Sequence, residues 1–209
     1  MMKNRVFLAV VILMLSINIF GQDRPDALIL YQNGDYKQAV DVCKSELELR
    51  PGNMDSYSVL GWSLLRLGRY QEALDESKMG LKISRYDARI VEIVGESNFY
   101  LGKNLEALKW FEEYAVLAPT GGRIDTVYFF MGELFIRMGE YNHADIAFTT
   151  AVYHAPNIAR WWARLGYARE MAKDYDYSIE AYNKALELAP SFPDAKRGKE
   201  RVEAQRRNG

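Results

Sequence analysis

The stretch Ala159–Pro190, ARWWARLGYAREMAKDYDYSIEAYNKALELAP, decides the fold of this chain. Apolar residues recur at helical spacing on both sides of Lys173–Asp174, so the stretch predicts two amphipathic helices joined by a short turn. Large side chains such as Trp162 and Tyr182 fill the space between the two helices, and the small Gly166 marks a close approach of their backbones.

The same pattern occurs four more times upstream. Gly166 has counterparts at Gly132, Gly95 and Gly61, with intervals of 34, 37 and 34 residues, and Ala27 takes the matching place in the first block. The five blocks lie near 20–53, 54–87, 88–119, 125–158 and 159–192. Two other residue types also recur at matching places in the blocks. A glycine follows the first helix in four blocks (Gly34, Gly68, Gly102, Gly139), and a proline lies near the end of four blocks (Pro51, Pro119, Pro156, Pro190).

A fixed period near 34 with two helices per unit is typical of a helical solenoid. The fifth block resembles the tetratricopeptide repeat family and departs from its signature only at Lys173 and Ser178; the matching residues are Trp162, Leu165, Gly166, Tyr175, Tyr182, Ala185 and Pro190. The resemblance covers roughly residues 20–192. It implies an all-α fold in which helical hairpins coil into a right-handed superhelix with a concave groove.

The residues after Pro190 predict a polar capping helix and tail at 193–209. From Asp194 onwards they include six basic and three acidic residues. A terminal repeat has to cover its exposed apolar face, and a polar helix is the usual cover.

Residues 1–21 are typical of a secretory signal peptide. Lys3 and Arg5 precede an apolar run from Val6 to Leu15, and a more polar end follows. Cleavage after Gly21 would remove two basic residues and no acid, so the net charge would change from −1 to −3. It would leave a first helix at about Asp23 to Gln32. The alternative is an uncleaved N-terminal membrane anchor.

One joint between blocks is irregular. Tyr114 stands where the next blocks carry Ala151 and Ala185, and three extra residues enter at Thr120–Gly122. We expect these changes to loosen or re-angle the contact between the third and fourth blocks.

The sequence predicts neither an enzyme nor a metal or cofactor site. Its two histidines, His143 and His154, are eleven residues apart, which is not the spacing of a helical metal site. Cys43 is the only cysteine and falls at an inward-facing place, so we expect a buried, inert thiol. The net charge of −1 argues against bulk attraction to nucleic acid.

The resemblance implies that the first helix of each pair lines the groove. Carried over to this chain, the groove positions are Trp62, Arg66, Arg89, Glu92, Glu96, Phe99, Tyr100, Phe129, Glu133, Arg137, Arg160 and Tyr167. Aromatic and arginine side chains are enriched in binding hot spots. Two interpretations stay open. The charges could grip a peptide with acidic ends and a basic middle, or they could pair with each other across adjacent helices, at about 0–1 kcal/mol for each exposed pair.

Two other features concern partners. The ninth groove positions carry no asparagine, so binding of chaperone tails through a carboxylate clamp is not carried over from the family. Trp110 and Trp161 fall off the usual core positions, and they are either a second contact surface or lone surface aromatics.

The predicted function is an exported, non-enzymatic scaffold that binds a peptide or partner helix in its concave groove. By family analogy, it would assist an envelope complex in a bacterial periplasm. Membrane contact is expected only if residues 1–21 stay attached. The alternative is a structural module whose copies stack through the ends of the solenoid, and the oligomeric state is left open.

Overall fold

The structure, a computed structural model, describes residues 26–208. The predicted signal segment at residues 1–21 lies outside the described residues. Within residues 26–208 the chain forms eleven α-helices and no strand, which confirms the all-α fold class. The helices are α1 (Ala27–Asn33), α2 (Tyr36–Leu49), α3 (Met54–Arg66), α4 (Tyr70–Ile83), α5 (Ala88–Tyr100), α6 (Asn104–Leu117), α7 (Ile124–Met138), α8 (Tyr141–His154), α9 (Ala159–Met171), α10 (Tyr175–Leu188) and α11 (Pro193–Asn208).

The helices pack almost entirely on their neighbours along the chain. The substantial contacts join helices that are one or two places apart in sequence, as in a solenoid. Those two places apart join the first helices of successive pairs: α1 with α3, α3 with α5, α5 with α7, and α9 with the terminal helix α11. No comparable contact joins the second helices α2, α4, α6, α8 and α10 of the described chain. The first helices therefore form the inner row, which is the concave side.

Left-handed residues make the tight turns inside the pairs. Gly34, Gly68, Gly102 and Gly139 have φ angles of +87°, +71°, +74° and +77°. Lys173 takes the same place in the fifth pair with φ +66°, and its Cβ costs about 1–2 kcal/mol in that conformation. The recurring glycines thus mark helix ends, as the sequence predicts.

Inside the third, fourth and fifth pairs, a glycine of the first helix faces an aromatic ring of the second. A Cβ built at Gly132 would lie 2.6 Å from the Phe148 ring, and one at Gly166 would lie 2.7 Å from Tyr182. Both rings are buried, so neither can move aside easily. The missing side chain is what allows the backbone of α7 to approach α8 this closely.

We predict that Gly132→Ala destabilises the protein by about 1–3 kcal/mol, because the added methyl group overpacks the contact with Phe148. Chemical denaturation followed by circular dichroism measures the change. Gly122→Ala is the matched control, since a Cβ there meets no atom within 4 Å. Equal stability of the two variants would contradict this account of the packing.

The irregular joint between α6 and α7 is packed. Tyr114 is buried, and a Cβ built at Gly121 would lie 2.6 Å from its hydroxyl, so the glycine leaves room for the bulky side chain. The contact between α6 and α7 is the smallest between successive pairs, as the sequence predicts for a looser joint. Arg123, directly after the three-residue insertion, reaches back to Glu92 and Glu96 on α5 and cross-links the third and fourth pairs.

Helix α11 covers the end of the last pair. Ala195 and Val202 are fully buried beside Tyr182, and Gly198 lets the Tyr182 ring approach the α11 backbone. The basic residues Arg197, Arg201 and Arg207 on the same helix are exposed. The predicted capping helix is therefore confirmed.

Two expectations about helices are corrected. The first helix begins at Ala27, not near Asp23, because the Asp26 carboxylate accepts hydrogen bonds from the backbone N–H groups of Leu28 and Ile29. Trp161 is buried and stacks on Phe129 at 5.1 Å between ring centroids, so it is a core residue and not a surface contact. Among residues 26–208, no helix is long and apolar enough to cross a membrane.

Candidate partner-binding groove

Four consecutive first helices build an open pocket in the concave face, which we call the N-terminal pocket. Its volume is about 380 Å³. It is lined by Tyr31 of α1, Trp62, Leu65 and Arg66 of α3, Glu96 and Tyr100 of α5, and Thr126 and Phe130 of α7, together with Arg123 just before α7. Trp62 and Glu96 hold the same position in successive first helices, as do Arg66 and Tyr100, so the stacking of the pairs brings these residues together.

Aromatic rings form most of the apolar lining of the N-terminal pocket. Tyr31 and Trp62 lie 6.0 Å apart between ring centroids, and Tyr100 and Phe130 lie 6.1 Å apart in an edge-to-face arrangement. Tyr100 is 45% exposed and stacks on Tyr70 at 4.6 Å. Rings held in this way offer rigid contact area at low entropic cost.

Beside these rings, two glutamates of α5 share one arginine. Arg123 donates from Nε to Glu92 Oε1 at 2.9 Å and from Nη2 to Glu96 Oε1. The Trp62 indole donates to the second oxygen of Glu92 at 3.3 Å. The Glu92 side chain is 1% exposed and that of Glu96 is 10% exposed, whereas Arg123 is 44% exposed. The cluster fixes the floor of the pocket.

Crowding of the two carboxyl groups changes the acidity of Glu96. Burial raises the pKa of Glu96 to about 9, with a further contribution from Glu92, and these effects outweigh the opposing attraction of Arg123. The two glutamates raise the pKa of Arg123 despite its own burial, so the guanidinium stays charged. The floor of the pocket therefore holds one proton on Glu96 at neutral pH.

The proton on Glu96 makes stability depend on pH. In the unfolded chain the carboxyl ionises near its ordinary pKa of 4.5, whereas the folded chain holds the proton up to about pH 9. Between these values the folded state binds more protons than the unfolded state. The contribution of Glu96 to the free energy of unfolding therefore falls as the pH rises through this window.

We predict that Glu96→Gln stabilises the protein by at least about 1 kcal/mol at pH values near the top of this window, or about 2–4 °C in Tm. The neutral amide keeps an oxygen acceptor for Arg123 and places an N–H donor toward Glu92, as the protonated acid does. Thermal unfolding between about pH 5 and about pH 9 should show a gain that grows with pH.

Glu92→Gln is the matched control for this experiment. Glu92 accepts hydrogen bonds from both Arg123 and Trp62, so its substitution should destabilise the protein. A Glu96→Gln variant that loses stability as the pH rises, relative to the parent, would contradict the assignment of the proton to Glu96.

A second open region, which we call the C-terminal pocket, lies where α9 meets α11. Its volume is about 580 Å³. The lining residues are Glu133 of α7, Arg160, Ala163, Arg164 and Tyr167 of α9, Tyr182 of α10, Phe192 just before α11, and Asp194, Arg197 and Arg201 of α11. Seven of the twelve predicted groove residues line one or the other of these two pockets.

The structure brings only part of the predicted set together. Trp62, Arg66, Glu96 and Tyr100 line the N-terminal pocket. Three other predicted residues, Glu133, Arg160 and Tyr167, line the C-terminal pocket.

Three predicted residues are buried and line neither pocket. Glu92 binds Arg123, while Phe99 and Phe129 are each 7% exposed. Two guanidinium groups cover these rings, that of Arg137 at 3.8 Å from the Phe99 centroid and that of Arg160 at 5.5 Å from the Phe129 centroid. The rings of Phe99 and Phe129 are therefore not offered to a partner.

Most charges of the groove pair internally. Arg89 binds Asp87 and Asp55 at the N-terminal ends of α5 and α3, and Glu133 binds Arg164. Arg137 donates to the Phe99 carbonyl oxygen at 3.1 Å. Arg89 therefore does not join Arg66 in the N-terminal pocket. In the structure, Arg89 and Glu133 have ion-pair partners within the chain, whereas Arg137 binds a backbone oxygen.

Arg66 is different. It is exposed, and none of the ion pairs within residues 26–208 involves it. A side-chain hydrogen bond with Tyr31 raises the pKa of Arg66. The N-terminal pocket therefore carries a positive charge at its rim.

Sequence reasoning missed several lining residues. Arg123 lies directly after the insertion at the irregular joint, outside the repeated blocks, and no sequence signal indicates its role. Tyr31 occupies the twelfth position of the first block, so the family pattern could have found it. Arg197 and Arg201 belong to the helix that the sequence predicts as a polar cap, with a basic handle for anionic lipid or a partner as the alternative interpretation.

Other reactive groups within the described part of the chain have structural explanations. Burial raises the pKa of the Cys43 thiol to about 12, so the thiol stays protonated in the core. His143 is exposed and lies 2.8 Å from Glu140. No group of three or more His, Cys, Asp or Glu side chains within residues 26–208 is placed to hold a metal ion.

Comparison with family models agrees with this architecture. Two models described as tetratricopeptide repeat match residues 125–158 and 159–192. The chain contains tetratricopeptide repeats. Residues 25–78 match a model described as anaphase-promoting complex, cyclosome, subunit 3.

Known proteins with similar sequence or fold belong to varied systems. A peroxisomal targeting signal receptor from Candida albicans is 28% identical over 174 residues, which is 79% of this chain and 29% of the receptor. Among solved structures, one of MamA has a TM-score of 0.69 at 22% identity and covers 80% of this chain and 96% of its own. A structure of YrrB, described as a TPR protein with an unusual peptide-binding site, has a TM-score of 0.68 at 18% identity. The match covers 83% of this chain and 88% of the YrrB chain. At these identities the structural likeness shows the fold.

Proposed function

We propose that this tetratricopeptide repeat protein is an exported, non-enzymatic scaffold that captures a peptide or partner helix in its concave groove. The observation that carries the proposal is the N-terminal pocket. Tyr31, Trp62, Tyr100 and Phe130 come from four successive first helices and converge on one open surface. Clustered aromatics beside an exposed arginine are the usual composition of protein-binding hot spots.

The shape of the site favours a macromolecular partner. The pocket continues along the groove of a solenoid, so an extended peptide or a helix can contact several pairs at once. An enclosed cavity with converging polar groups, which a small-molecule site needs, is not the form of this surface. The description of YrrB as a peptide-binding TPR protein supports the same use of a related fold.

The internal ion pairs favour recognition through the rings. Glu92 and Glu96 already bind Arg123, and Glu133 already binds Arg164, so a partner gains little from these groups. Apolar and aromatic side chains of the partner would instead displace water from the rings of Trp62 and Tyr100. Arg66 would then add a charge contact at the rim.

We predict that the double variant Trp62→Ala/Tyr100→Ala weakens partner capture by at least about tenfold, because both ring anchors are lost. The test is affinity capture from the native organism with the full chain as bait, identification by mass spectrometry, and titration of the recovered partner. If the variant binds the same partner with the same affinity, the N-terminal pocket is not the partner-binding site.

Tyr153→Ala is the control for an exposed ring outside the groove. Tyr153 lies on the second helix α8 and is 81% exposed. Its removal should leave capture unchanged. Thermal unfolding of each variant separates lost binding from lost folding.

Export is a separate part of the proposal and is supported by the basic and apolar pattern of residues 1–21. We predict that protein isolated from its native cell lacks these residues and begins at Gln22. Intact mass measurement checks the cleavage. If the membrane fraction contains protein with the mass of the full chain, the anchored alternative is favoured. The proposed role as an accessory factor of an envelope complex would then apply at the membrane surface.

Stacking of copies through the C-terminal end has less support. Helix α11 buries Ala195 and Val202 against the last pair, and it presents charged residues to solvent. Its exposed residues would have to be desolvated in a stacked assembly. The polar helix therefore favours the scaffold over the self-associating module.

A further inference from the structure

The C-terminal pocket is dominated by arginine. Arg160 and Arg164 reach it from α9, and Arg197 and Arg201 reach it from α11. Only two acidic side chains, Glu133 and Asp194, share the lining. These four guanidinium groups are more than repeat packing or a solubilising cap requires.

Two of the arginines each donate two hydrogen bonds to a carboxylate of this chain. Glu133 accepts hydrogen bonds from Nε and Nη2 of Arg164, at 2.5 and 2.9 Å. Glu170 accepts from Nε and Nη2 of Arg201, both at 2.9 Å. Glu170 is itself buried, and it also accepts a hydrogen bond from the Tyr182 hydroxyl at 2.7 Å.

This two-point pairing fixes the plane of each guanidinium group. It uses one edge of the group, and the Nη1 atoms of Arg164 and Arg201 make no hydrogen bond within the described chain. A guanidinium group that is already oriented loses little freedom when it binds a second carboxylate. The two carboxylates therefore act as supports for a binding surface.

Arg160 supplies the excess charge. It is exposed, its guanidinium group lies over the Phe129 ring, and no ion pair within residues 26–208 involves it. Asp194 pairs with Arg197 at 2.6 Å, so each of the other three arginines has one carboxylate partner. The pocket thus carries one uncompensated positive charge.

We infer that the C-terminal pocket binds an acidic segment of the partner protein, with partner carboxylates on Arg160, on Arg197 and on the free Nη1 edges of the other two arginines. The inference rests on the proposed function, since it names the chemistry of the partner that the groove captures. Bidentate pairing between arginine and carboxylate is directional, so it would fix the register of the segment. Tyr167 and Phe192 line the same pocket and can pack against the aliphatic parts of glutamate side chains.

The same geometry argues against a basic partner. The carboxylates of Glu133 and Glu170 already have two guanidinium hydrogen bonds each, and a lysine would have to displace them. A basic segment would also meet the unpaired charge of Arg160.

The test titrates the full chain by calorimetry with an oligoglutamate peptide, and with oligoglutamine of equal length for comparison. We expect measurable binding of oligoglutamate only, and at least about a tenfold loss of affinity in Arg160→Gln/Arg197→Gln. Arg207→Gln is the matched control because Arg207 lies on the same helix, is exposed and does not line the pocket. Single Arg160→Gln serves if the double variant fails to fold.

Three outcomes would overturn the inference. They are equal binding of the two peptides, equal losses in the Arg160→Gln and Arg207→Gln variants, and binding of inorganic phosphate without binding of oligoglutamate, which would assign the pocket to a small anion. If oligoglutamate does not bind, but the Trp62→Ala/Tyr100→Ala variant no longer captures the native partner, only the inference of an acidic segment is rejected. If oligoglutamate does not bind and the aromatic variant still captures the partner, the proposed function is rejected as well.

Discussion

The close approach of two backbones inside each helical pair is the constraint on which the structure depends. Gly95, Gly132 and Gly166 leave room on the first helix for a large buried ring on the second, and the rings are those of Phe111, Phe148 and Tyr182. This contact recurs in the third, fourth and fifth pairs, so the two helices approach each other in the same way in each of these pairs. Similar pairs stacked in one direction must generate a superhelix, and its inner row of first helices becomes a groove.

The repeat phase makes much of the fold predictable. Gly34, Gly68, Gly102 and Gly139 stand where a left-handed residue ends a helix, so the amino-acid pattern alone locates these helix ends. Lys173 shows the limit of this rule, since a lysine adopts the same conformation when its neighbours require it. The sequence also indicates which helix faces inward, because the family pattern assigns groove positions to the first helix of each pair.

Exposure within the groove could not be predicted from the same pattern. Phe99 and Phe129 occupy groove positions, yet guanidinium groups from the next pair cover them. Whether a ring at such a position is covered depends on a long side chain in the next pair, and the repeat signature does not specify that residue. Arg123 is harder still to predict, because it directly follows an insertion that has no counterpart in the other blocks. Residues between blocks cannot be aligned with the repeat pattern, and in this chain one of them binds both glutamates at the floor of the N-terminal pocket.

The nearest-neighbour contacts of the helices have a geometric consequence. The N-terminal pocket is built from α1, α3, α5 and α7, and the C-terminal pocket is built mainly from α9 and α11, with Glu133 of α7 at their boundary. The distance between the two pockets is therefore set by the pitch of the superhelix between the fourth and fifth pairs. Under the two proposals above, this distance would set the spacing, along a bound segment, between the residues that contact the aromatic rings and the acidic residues that contact the arginines. Adding or deleting one helical pair between the pockets would change that spacing by the rise of one pair.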